Sequence, residues 1–141
     1  MSERLGLERT AELIGMVYDA AIDPASWPRF LNRLADTVNS SAALLFGHDL
    51  THEVTRLSVE GIEAKLGMSD EYMALHNTYY AKHNVWLPRI SKLGEGAVVD
   101  GDKLFPVSQL PKTEFFADWL RPQNFMHTLG GIVTLRQDIG L

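Results

Sequence analysis

Two stretches of this chain hold the side chains best suited to chemistry: Tyr79-Tyr80 with Trp86 close behind, and Phe115–Gly131, FFADWLRPQNFMHTLGG. Tyr79, Tyr80 and Trp86 combine aromatic surface with a polar tip, the usual lining of a small-molecule site. Phe116 and Trp119 add ring surface from a short helix. His127, as a neutral imidazole, offers one donor and one acceptor inside a cavity. Gly131, next to Gly130, leaves space beside it. These residues form the candidate ligand-binding set, and each has a plainer reading. Aromatics at helical spacing are more often simple core. A core histidine is ordinarily satisfied by a backbone carbonyl. A Gly-Gly pair in a strand equally marks a bulge or a close helix–strand contact. Both readings stand at the level of sequence.

Enzyme patterns are weaker. With no cysteine there is no thiol nucleophile, thiolate metal site or disulfide framework. His48 and His52 are four apart, but the residues between them read as a turn. A zinc-type HExxH pattern needs both imidazoles on one helical face with a glutamate between them. His76 and His83 share a helical face, yet seven residues of separation exceed the reach of one metal. No GxSxG elbow, P-loop or GxGxxG occurs, and Gly94-Glu95-Gly96 is too short to act as one. Glu60, Glu63, Asp70 and Glu71 read as a solvated face. The expectation is a non-enzyme with no catalytic residues, no metal and no cofactor.

Composition sets the remaining limits. A chain of 141 residues with 45% hydrophobic and 22% charged side chains is one ordinary domain with a sizeable core. The net charge of −5, with no window rich in Lys and Arg, excludes a phosphate-binding stripe, so this chain by itself is a poor DNA binder. The opening MSERLGLERTAEL lacks an apolar signal core, and no segment is long enough to span a bilayer. A cytoplasmic location without membrane contact is expected.

The elements that must position the candidate residues follow from periodicity. Leu7, Ala11, Ile14, Tyr18 and Ala21 form the apolar stripe of a first helix. Asp23-Pro24 then reads as an N-cap with proline at the first helical position, opening a second helix on Trp27, Phe30, Leu31, Leu34 and Val38. Ser41–His48 is a short apolar strand, with Val54–Val59 as its antiparallel partner across a polar loop. Ser69 caps a third helix reaching about His83, with Met73, His76 and Tyr80 on one stripe. Ala97–Val99 is a brief strand closed by an Asp100-Gly101 turn. Phe115, Phe116, Trp119 and Leu120 make two i,i+4 pairs on a helix that Pro122 ends. In the final strand, Phe125–Arg136, one face carries His127, Leu129, Gly131, Val133 and Leu135, and this face is expected to meet the core. The order predicts an α+β domain, an antiparallel sheet with helices packed on it.

Taken in order, DPASWPRFLNRLAD, YYAKHNVWLP, GAVVD, EFFADWLRPQ and HTLGG resemble the N-terminal sensory region of LuxR-type helix-turn-helix transcriptional regulators. The resemblance covers roughly Leu13 to Leu135. It implies a PAS- or GAF-like sensor fold, a small-molecule ligand, a homodimer, and DNA contact only through a helix-turn-helix domain outside this chain. Relatives often read Asp-Pro before the tryptophan where this chain has Asn84-Val85. In acyl-homoserine-lactone receptors a similar aspartate contacts the ligand, and that contact residue is missing here. Such regions also carry a further strand and helix, whereas Asp138-Ile139-Gly140 reads as a turn into a strand that is absent. The chain is thus expected to be a single sensory domain over 1–141, with N-terminal helices over 1–40, a sheet-containing core over 41–141 and a truncated C-terminal end. Within it the ligand pocket is expected between the sheet face bearing His127 and Gly131 and the segment Tyr79–Leu87, capped by Trp119. The alternative is a dimerisation module that binds no ligand.

Overall fold

The structure, a computed structural model, describes residues 2–45, 47–49, 54–56, 64–90 and 92–133. In chain order the elements are α1 (Ser2–Ile22), α2 (Trp27–Val38), β1 (Ala43–Leu45), β2 (Gly47–Asp49), β3 (Val54–Arg56), β4 (Ala64–Leu66), α3 (Asp70–Thr78), α4 (Leu87–Ile90), β5 (Val98–Asp100), α5 (Gly101–Leu104), a π-helical segment Phe115–Leu120 and β6 (Leu129–Gly131). The protein is mixed helix and strand, mostly helical, and its strands form antiparallel pairs β1–β4, β2–β3 and β5–β6. The chain divides into two compact units, Met1–Phe46 with Leu57–Met68 and Gly47–Arg56 with Ser69–Leu141. Strands β1 and β4 therefore belong with the first two helices. No helix among the described residues is long and apolar enough to cross a membrane.

In the first unit, Asp23 accepts a hydrogen bond from Ala25 N at 3.1 Å, with Pro24 behind it, and a 3-10 turn over Pro24–Ser26 leads into α2. The apolar stripe expected to pack, Leu7, Ala11, Ile14, Tyr18 and Ala21, is instead exposed, Leu7 by 71% and Tyr18 by 69%. The buried row is Met16 and Ala20. Glu12 stands on that same i,i+4 row and binds Arg33 of α2 at 2.6 Å, consistent with this rotation of α1. On α2, Leu31 and Ala35 are buried. The helix ends at Asn39, whose left-handed φ of 54° lets Ser40 N return to the Ala35 carbonyl.

β1 pairs with β4, Ala43 opposite Leu66. The expected hairpin is realised only by β2 and β3, Gly47 opposite Arg56; residues 57–59 lie outside the described residues. The partner of β1, Ala-Lys-Leu, is too short to show alternation in the sequence.

In the second unit, Ser69 Oγ accepts from Tyr72 N at 3.3 Å and starts α3. That helix stops at Thr78, short of His83, and a 3-10 turn over Tyr80–Lys82 follows. Asp100 closes β5 by capping α5 rather than a plain turn, accepting from Asp102 N at 3.0 Å. Pro122 does not end the aromatic helix directly. It sits in the 3-10 turn Arg121–Gln123, where its missing N–H costs nothing, and Asn124 (φ 60°) terminates the segment as Phe125 N returns to the Leu120 carbonyl. Of the expected final strand β6 is paired, and Ile132 extends the pairing by accepting from Gly96 N and donating to the Ala97 carbonyl; residues 134–141, with the turn at 138–140, lie outside the described residues.

Two glycines should respond oppositely to alanine. Gly67 holds φ +76°, and a Cβ there would strike the Ser41 carbonyl oxygen, whereas Gly15 lies in α1 with open space around it. Urea denaturation should show Gly67→Ala destabilised by more than about 1 kcal/mol and Gly15→Ala stabilised by about 0.5–1 kcal/mol.

Candidate functional site

The aromatic helix of the second unit starts where Thr113 Oγ1 accepts from Phe116 N at 3.1 Å. It then winds as a π-helix, wider than the α-helix its spacing predicts. Phe115, Trp119 and Leu120 are buried and Phe116 is half-buried. Phe115 stacks on Trp119 with centroids 5.3 Å apart and planes 12° apart. Trp86 meets Phe115 edge-on at 5.6 Å. The Trp119 indole N–H donates to the Tyr72 carbonyl of α3 at 2.8 Å.

At the centre is His76, only 6% exposed, its ring 4.9 Å from Trp119 and 6.3 Å from Phe115. Neither His76 nor Phe115 stood among the candidate ligand residues. The available signal for His76 was its place on one stripe with Met73, which is also buried.

Asn84 sets the polarity of this cluster. Its Oδ1 accepts from Trp86 N at 3.0 Å, which turns its Nδ2 toward His76 Nε2 at 3.2 Å. An amide NH2 can only donate, so Nε2 must accept, and the imidazole is neutral with its proton on Nδ1. One asparagine therefore fixes both the tautomer of His76 and the backbone of Trp86.

Tyr79 and Tyr80 stand outside this core. Tyr79 is exposed and Tyr80 half-buried, and their rings meet at 89° with centroids 4.9 Å apart. The Tyr79 hydroxyl donates to Glu114 Oε1 at 2.6 Å. That bond, then burial and the nearby carboxylates, raises the Tyr79 phenol above its ordinary range. Tyr80 is raised as well, first by burial and then by the charges of Asp118 and Glu114.

His127 and Gly131 do not join the cluster, which corrects the expected placement of the pocket. The alternation of the last strand is opposite to that expected: Met126, Thr128, Gly130 and Ile132 are half-buried, while His127, Leu129, Gly131 and Val133 are exposed. The cause lies at Gly101, a buried residue whose missing Cβ admits the Thr128 side chain and lies close to Trp86 Nε1. With Thr128 directed inward, the period of two turns His127 outward. His127 is 65% exposed at its side chain and pairs through Nδ1 with Asp102 Oδ2 at 2.9 Å. Gly131 lies opposite Val98, and a Cβ there would make ordinary contacts, so it reserves no space.

The arrangement offers a buried, tautomer-fixed imidazole among aromatic rings and, outside it, a tyrosine–carboxylate corner. Among the described residues no group of three His, Asp or Glu side chains is placed to hold a metal ion. No family model, curated protein or solved structure matches the chain.

Three outcomes follow from this geometry. Trp119→Phe keeps a ring on Phe115 but removes the N–H, and urea denaturation should show a loss of roughly 1–3 kcal/mol. Asp102→Ala, which breaks only the exposed pair with His127, should cost less than about 1 kcal/mol. Absorbance titration of the tyrosines should place the Tyr79 and Tyr80 phenols above the usual ~10 and bring the Tyr79 phenol down in Glu114→Ala. Because that phenol is raised on folding, its contribution to stability is present below the unfolded value and lost as pH rises through the folded one.

Proposed function

We propose that the chain is the sensory region of a LuxR-type transcriptional regulator with a PAS- or GAF-like fold, binding a small molecule and catalysing nothing. The observation that carries the reading is the convergence of Trp86, Phe115 and Trp119 on His76, with Asn84 supplying one fixed polar edge. An aromatic site with few, oriented hydrogen-bonding groups suits a mostly apolar small molecule, and half-buried Phe116 lies on the same segment as Phe115 and Trp119. The ligand would act by binding one of two conformations better, shifting an attached helix-turn-helix domain outside this chain. The net charge of −5 supports assigning DNA contact to that other domain.

Thermal-shift screening of the chain against a metabolite library tests this. At least one compound should raise the melting temperature of the wild type and lose most of that effect in Phe116→Ala and Trp119→Phe. A compound whose stabilisation survives both changes would place the site elsewhere and remove the basis of the reading.

A homodimer is the second part of the proposal, and the exposed stripe of α1 favours it. Leu7, Ile14, Tyr18 and Ile22 present exposed apolar side chains at near-heptad spacing. The same surface supports the alternative, a dimerisation module that binds no ligand. Sedimentation equilibrium should give about twice the monomer mass, falling toward the monomer when Ile14 and Tyr18 are both changed to Glu. A wild-type monomer at high concentration would refute the dimer.

A further inference from the structure

Tyr79, Tyr80, Glu114 and Asp118 form a solvent-facing constellation in the second unit that the core cluster does not use. α3 stops at Thr78, and the non-helical dihedrals of Tyr79 (φ −139°, ψ −57°) set its ring at right angles to that of Tyr80. His83 lies against Tyr79 with centroids 4.7 Å apart and planes tilted by 34°. Three rings thus stand together at one corner. Tyr79 remains 45% exposed, and the side chains of His83 and Glu114 remain 40% and 45% exposed.

Charge points the same way. Glu114 receives the Tyr79 hydroxyl on Oε1, and its Oε2 lies 4.0 Å from His83 Nδ1. Asp118 is exposed, four residues further along the same helical segment. Among the described residues no lysine or arginine forms an ion pair with either carboxylate. The fields of both reach both phenols. Exposed aromatic surface beside two carboxylates that, among the described residues, pair with no lysine or arginine favours a large, weakly hydrated cation that can lie on it. A hard metal ion requires six or more oxygens at short range, and this corner does not supply them.

We infer that the Tyr79–Tyr80 corner, with Glu114 and Asp118, binds a methylated ammonium group. The same chemistry could come from a free quaternary amine or from a methylated lysine of another protein. This inference goes beyond the sensing role and does not require it, since the core aromatic cluster takes no part.

The test is an NMR titration of the intact chain at constant ionic strength with three probes: choline, a short trimethyllysine peptide, and 3,3-dimethylbutan-1-ol, the uncharged counterpart of choline. At least one of the two cations should bind saturably, with its N-methyl protons moved upfield by the ring currents, while the alcohol shows no such shift. Glu114→Gln combined with Asp118→Asn should weaken the cation by about tenfold, and Tyr79→Leu should abolish the upfield shift. Tighter binding of the peptide would assign the source to a protein, and tighter binding of choline to a free solute. No cation binding, equal binding of the alcohol, or binding that survives the double carboxylate variant overturns the inference. Should Tyr79→Leu fail to fold, the carboxylate variant decides alone, because both changed side chains face solvent. Failure of this test leaves the metabolite screen on the core cluster unaffected, so the two readings fall separately.

Discussion

The hydrogen bond from the Trp119 indole to the Tyr72 carbonyl joins segments 47 residues apart, and the geometry of the aromatic cluster depends on it. It ties the π-helical segment to α3, which brings Phe115 and Trp119 against His76. A buried indole N–H without an acceptor would carry its full desolvation penalty, so the bond selects the arrangement in which the rings pack. The wide π turn lets Phe115 and Trp119 stack nearly parallel while Leu120 is also buried.

Asn84 gives the cluster its second constraint. By accepting from Trp86 N and donating to His76, it links the segment after α3 to the helix itself. The result is an aromatic interior with one oriented polar pair, which is how small-molecule sites obtain specificity from few groups. The tyrosine–carboxylate corner is a separate feature. Tyr79 is exposed and Tyr80 half-buried, and the corner's chemistry comes from charge next to aromatic surface rather than from enclosure.

Much of the local structure was legible because caps and breakers act over a few residues. Ser69 starts α3 as read, Asp23-Pro24 caps a 3-10 turn ahead of α2 rather than α2 itself, and α1, α2 and the start of α3 fall where periodicity places them. Of the candidate residues, Trp86 and Trp119 do lie in one buried cluster. What failed was the choice of face. In α1 the longest apolar stripe lost to the shorter Met16–Ala20 row, which packs on the same side as the Glu12–Arg33 pair, and which row packs is a tertiary fact. In the last strand a single packing event, Thr128 entering the space at Gly101, reversed the parity of every neighbour. His76 was passed over because an imidazole on a mixed stripe has no pattern of its own until its partners are known. The PAS- or GAF-like fold rests on resemblance alone, since short strand pairs do not specify a sheet order.

The most direct measurement is proton exchange of the Trp119 indole N–H, followed by NMR in the intact chain. If the hydrogen bond to Tyr72 organises the aromatic cluster, that proton should exchange orders of magnitude more slowly than a free indole, with opening of the cluster as the limiting event. The same spectrum should show contacts from the Trp119 ring to His76 and Phe115. An indole proton exchanging at the free rate, or a Trp119 ring with no contact to His76, would contradict the account.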